Sequence, residues 1–320
     1  MLASVGATAA EPWKFHAHPE VWVLIAGIIA VGVYSVRVIG PKVVPIGTPI
    51  VTTKQRWSFV AGVIVLWMVS DWPLHDIAEN YLYSAHMIQH LLMAFVAPPL
   101  FLIATPRWLA DLLLADRSRP ARAVLWLTRP LAAGVIFNAV VVLLHWPQMV
   151  KLAVESGPAH YSLHLLLFSS ALLMWMPVCG PIEERRLAAP TKMLYLFLQS
   201  VIPTIPAAFL VFAENPVYKV YDHEPRLWGI SVLADQQAAG AIMKLVGGMF
   251  LWVIITVVFF RWAAIEERHD RRRTVVVTRP TPLPDQLTFE SVSETFERLG
   301  PAPNEPVPRG PDEIGDPRLN

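Results

Sequence analysis

The chain has 320 residues, 54% of them hydrophobic and 16% charged, and its mean hydropathy is +0.45. Soluble domains run to about 45–50% apolar and about 25% charged, so this composition excludes a soluble enzyme and makes the lipid bilayer the first partner. A net charge of +1 spread over short loops gives no nucleic-acid footprint, and the single cysteine, Cys179, excludes an internal disulfide framework and any paired-cysteine metal motif.

Taken in chain order, residues 1–20 form an extracytoplasmic N-terminal tail. They lack the basic start and compact apolar core of a cleavable signal peptide and read as a mature tail. Seven segments are apolar enough for spanning helices, at 21–39, 57–73, 81–104, 130–147, 160–178, 192–213 and 232–260. The fold class is therefore all-α, a polytopic membrane helix bundle, with a seven-helix transmembrane domain over 21–262. Residues 107–126, where apolar positions alternate with Arg117, Arg119 and Arg122, read as an amphipathic helix lying in the interface. Residues 263–320 form a cytoplasmic tail, rich in proline and acidic residues and poor in apolar ones, that is expected to be largely disordered apart from a short helix near 287–299.

Lys and Arg concentrate in alternate loops. Arg37, Lys42, Lys54 and Arg56 follow the first span, Arg107 to Arg129 the third, Arg185 and Arg186 the fifth, and Arg261 to Arg273 the seventh. Cytoplasmic loops carry this excess, which puts the N-terminus outside and the C-terminus inside.

That topology sorts the histidines by depth. Nine of the ten fall on the outer side, with only His269 inside. His86 and His90 sit with Gln89 in the first half of span three, His145 ends span four, and His160 and His164 open span five. Histidines four apart project from nearly the same helix face. The segments HMIQHLL at 86–92 and HYSLHLL at 160–166 repeat one pattern at similar depth. Ionisable groups inside a membrane are costly and mark function by default, and imidazole is the commonest ligand for copper, zinc and iron. The paired histidines thus read as a metal or cofactor site, whereas His16, His18 and His223 read as solvated loop residues. Met68, Met87, Met93, Met149 and Met243 share the outer half, where thioether sulfur suits cuprous copper and also fills irregular gaps. Asp235, opening span seven, is either a ligand, an acceptor for an imidazole N–H, or a charge favoured by its own helix dipole. Lys244 lies about 15 Å into that span on the face of Gly240 and Gly248, a small-residue spacing that permits close helix packing. It should face protein or water. Pro98, Pro99, Pro203 and Pro206 should kink spans three and six.

The stretches HMIQHLLMAFVAPPLFLIATP (86–106), LLHWP (143–147), HYSLHLLLFSSALLMWMPVCGP (160–181), FLQSVIPTIPAAFLVF (197–212) and DQQAAGAIMKLVGG (235–248) resemble the cytochrome c oxidase assembly factors of the CtaG type over about residues 55–262. The resemblance implies a non-catalytic, multi-pass plasma-membrane protein that helps mature a haem-copper oxidase, with the oxidase subunits as clients, copper as cargo and a copper donor protein as a further partner. It carries over His86, His90, His145, His160, His164 and Asp235 as the metal residues. Two other readings stand beside it. One is a b-type haem protein ligated from spans three and five; the other is a copper permease, which the apolar inner halves of those spans disfavour. The chain holds no nucleophile–base pair, phosphate loop or paired carboxylates for hydrolytic or transfer chemistry.

Overall fold

The structure is a computed structural model that describes residues 12–114, 119–222, 226–277 and 288–299, and every described element is helical. Two compact units are distinguished, 1–262 and 263–320. In the first, α1 spans Pro19–Val43, α2 Thr53–Ser70, α3 Leu74–Asn80, α4 Tyr83–Ala104, α5 Arg107–Leu114, α6 Arg119–Leu127 and α7 Pro130–Leu144. They are followed by α8 Pro147–Glu155, α9 Gly157–Cys179, α10 Ala189–Val201, α11 Thr204–Val211 and α12 Val232–Ile242; α13, Gly248–Val277, runs from the first unit into the second, which holds α14, Phe289–Leu299. Helix α14 occupies Phe289–Leu299, where a short helix is expected near 287–299, while Leu287, residues 278–286 and residues 300–320 lie outside the described residues, as do 1–11, 115–118 and His223.

Among the described residues, six helices are long and apolar enough to cross a membrane, or seven if a bent pair counts as one span. The exception is the fourth expected span. Helix α7 has 15 residues, about 22 Å at 1.5 Å per residue, short of the ~30 Å hydrocarbon core. It joins residues 121–127 of α6 at a 79° bend, so the interfacial segment and the short span form one broken unit. Helix α2 begins four residues earlier than its apolar run suggests because Thr52 and Gln55 form a capping box that satisfies its first amides.

The prolines act through the backbone groups they leave unpaired. Pro98 cannot donate to the carbonyl of Ala94; the helix opens into a wide π turn at Leu92–Val96, and the Trp175 indole donates to that oxygen at 2.9 Å. Pro203 separates α10 from α11. Another π turn, Met243–Gly247, joins α12 to α13 and adds a residue to the helical repeat. Gly240 still packs against α11, where an added Cβ would lie 2.7 Å from the Ala207 carbonyl oxygen. The extra residue shifts the register beyond it, so Gly247 rather than Gly248 meets α4, its Cβ position 2.9 Å from Leu91.

Contacts define two ends of the bundle. At one end Arg107 pairs with Glu184 at 2.5 Å, the Trp108 indole donates to the Ile50 carbonyl, and Arg186 donates to the Gly180 carbonyl. At the other, Trp22 and Trp67 both donate to Asp71, which ties α1 to α2 beside the histidines. Between them Trp175, Met174, Phe137, Leu196 and Ala171 form a fully buried core.

Candidate metal centre

Helices α4 and α9 bring their histidine pairs face to face. The ring centroids of His86 and His90 are 4.2 Å apart, and so are those of His160 and His164. Across the interface the Nε2 atoms of His90 and His164 approach to 3.2 Å. One ring nitrogen from each of His86, His90 and His164 lies within 4.8 Å of the others, and all three residues are buried. His160 adjoins this group, 5.7 Å from His86 by ring centroid, with at most one ring nitrogen engaged, at the Ala153 backbone.

A cavity of about 20 Å³ opens among these rings, lined by His86, His90, His160 and His164 together with Glu79 and Met149. Its volume suits one ion or one water. Buried polar atoms are normally satisfied, and His86 and His160, with unpartnered ring nitrogens facing such a space, can each turn one lone pair on an ion there. His145 stands at the edge, its ring 6.4 Å from His90. Its Nδ1 lies 2.7 Å from the Val141 carbonyl, which can only accept, so Nδ1 carries the proton and the unpartnered Nε2 presents a lone pair.

The elements above the cavity hold it in place. Asp235 is not among the imidazoles. Its two carboxylate oxygens accept from the backbone amides of Tyr83 and Ser84, at 2.6 and 3.0 Å, and so cap the start of α4, whose own N-cap residue, Leu82, has no side-chain acceptor. Gln236 accepts from the amides of Val217 and Tyr218 and donates to the Tyr218 carbonyl. The Tyr218 hydroxyl in turn donates to the His145 carbonyl at 2.8 Å. Burial pushes Tyr218 up to about 12 and raises Tyr221, which is also near Asp235 and Glu79, so both hydroxyls stay neutral over the physiological range.

Gln89 has a similar supporting role. Its Nε2 donates to the Val69 carbonyl at 2.5 Å and lies 3.2 Å from His75 Nδ1. His75 Nδ1 therefore accepts, and His75 Nε2 carries the proton facing Glu79 at 3.2 Å. Of the five methionines singled out by depth, Met149 lines the imidazole cavity. Met87 and Met243 are buried beside a second cavity of about 40 Å³ below His90 and His145, Met93 is in the core, and Met68 is exposed. That second cavity reaches Gln199, Ser200 and Thr204, and Lys244 donates to Thr204 at 2.7 Å. Its polar lining thus comes from α10, α11 and the π turn, whereas α4 and α9 face it with Leu91, Ala94, Phe95 and Leu167.

Sequence reasoning assembled the four imidazoles and His145 and missed His75, Glu79 and the tail histidines, which enter only through helix α3. Comparison with known proteins gives one match: a family model described as cytochrome c oxidase caa3 assembly factor (Caa3_CtaG) covers residues 30–264. No curated protein and no solved structure matches the chain.

Proposed function

Because the chain belongs to the family of cytochrome c oxidase caa3 assembly factors, we propose that it holds copper at the imidazole cavity and passes it to an oxidase subunit. The carrying observation is the cavity of about 20 Å³ with four imidazoles, a carboxylate and a thioether on its walls. In this reading His86, His90 and His164 are the ligands, His160 and His145 flank them, and Asp235 sets the position of α4. A metal–nitrogen distance of about 2.0–2.1 Å at tetrahedral angles separates two imidazole nitrogens by about 3.3 Å, close to the 3.2 Å between His90 and His164. Imidazole and thioether donors suit copper.

The same numbers favour an ion over a haem. Axial imidazoles stand about 4 Å apart with a porphyrin between them, and a cavity of about 20 Å³ has no room for the macrocycle. The loop charges support placing the histidine end outside a plasma membrane, where a copper donor protein would load it. The test is copper content: purified protein should take up copper, and replacing His86 and His90 should lower both that uptake and the copper in the client oxidase. No uptake together with unchanged oxidase copper would overturn the proposal.

A further inference from the structure

The buried cavity has a route to the surface made of the same chemistry. His16 Nδ1 lies 3.0 Å from one oxygen of Asp76 and His18 Nε2 lies 2.8 Å from the other, so a single carboxylate bridges two imidazoles of the N-terminal segment. The His16 side chain is 56% exposed and that of Asp76 7%. Inward from this group the rings continue without a gap: His18 to His75 at 5.0 Å between centroids, His75 to His160 at 5.3 Å, and His160 to His164 at 4.2 Å. Glu79 lies beside His75 at 3.2 Å and also lines the imidazole cavity.

His160 is the observation that gives this arrangement a purpose. It is 2% exposed and stands midway between His75 and the buried triad, with at most one ring nitrogen engaged, at the Ala153 backbone. An imidazole serving only as packing would leave a buried polar atom unsatisfied, which is costly. A residue that receives an ion and gives it on needs one ring nitrogen with a free lone pair, which a proton on the other nitrogen leaves available.

We propose that His16, His18 and Asp76 form a second, shallow cation site, and that it loads the buried triad past His75, by way of Glu79 and His160. The chemistry selects a divalent first-row ion, since mixed imidazole and carboxylate donors are borderline ligands and the carboxylates of Asp76 and Glu79 offset its charge along the way. The shallow site stands independently, whereas its loading role rests on the copper reading of the triad.

Cu(II) is the probe, added to the full chain in lipid nanodiscs. With His86→Ala/His90→Ala, one Cu(II) per chain should remain, with nitrogen and oxygen donors in its electron paramagnetic resonance spectrum. His16→Ala/His18→Ala, changes in the N-terminal segment outside the packed core, should remove that ion. The same variant should slow filling of the triad roughly tenfold or more, the scale on which a charged funnel raises local ion concentration, without changing its final occupancy. A shallow ion lost in the His86→Ala/His90→Ala protein, or filling as fast without His16 and His18 as with them, overturns the proposal. Binding at the shallow site alone would instead count against the triad.

Discussion

His90 and His164 come from helices 74 residues apart in sequence, yet their Nε2 atoms meet at 3.2 Å in a buried space. Two imidazoles can share one proton at that distance, or both can turn lone pairs on one cation. The bare nitrogens of His86 and His160 beside them favour the cation. Replacing either His90 or His164 by alanine should therefore cost at least about 100-fold in copper affinity, beyond the 10–100-fold typical of residues that only support a ligand. His145→Ala should cost less, since its ring lies 6.4 Å from His90. Competition with a chelator of known affinity measures both; equal losses at the two positions would move the centre toward His145.

Asp235 acts at one remove. Removing its carboxylate leaves the amides of Tyr83 and Ser84 without acceptors at the start of the helix that carries His86 and His90. Asp235→Ala should destabilise the protein by about 1–2 kcal/mol, the usual cost of a lost N-cap, and weaken copper binding by shifting α4. Asp235→Asn keeps one acceptor oxygen and should lose less of both. Thermal unfolding alongside copper titration separates the roles: a variant with full stability and no copper would make Asp235 a ligand after all.

The spans and the paired histidines were legible because they depend on local patterns: long apolar runs, four-residue spacing and alternating loop charge. His75, Glu79 and Asp76 were not, because their contribution depends on the short helix Leu74–Asn80 folding back over the cavity, a tertiary event with no periodic signature. His16 and His18 look like solvated tail residues until Asp76 gathers them. Asp235 is open in the sequence between ligand, imidazole acceptor and charge on its own helix, because the amides it caps lie 152 and 151 residues away. The fourth expected span, 130–147, ends three residues early, at Leu144, because Pro147 opens a new helix, a break that an apolar run does not reveal.

The glycines of the last span test the π turn. Gly240→Ala would place a methyl 2.7 Å from a backbone carbonyl, which cannot swing aside, and should cost about 1–3 kcal/mol through overpacking. Gly248 has nothing within 4 Å of an added Cβ. Gly248→Ala should be neutral or stabilising by up to about 1 kcal/mol from helix propensity. Thermal unfolding in detergent compares them directly. Equal penalties would mean that the small-residue face runs unbroken from Gly240 to Gly248, with no register shift between.

Tyr218 predicts the alkaline behaviour. Burial pushes its hydroxyl from the ordinary value of 10.0 up to about 12. Between those values the unfolded chain has released the proton and the folded chain still holds it, so the unfolded state binds fewer protons and stability falls as pH rises. Two units correspond to about 2–3 kcal/mol, present in full below pH 10 and lost by pH 12. Tyr221 contributes with the same sign. Tyr218→Phe removes the hydroxyl bond to the His145 carbonyl and should be less stable by about 1 kcal/mol at pH 8. It should also lose less stability than the parent protein between pH 8 and pH 11.5. Unfolding midpoints of the two proteins at those pH values check this, and parallel losses would mean that Tyr218 ionises in the folded protein as readily as in the unfolded chain.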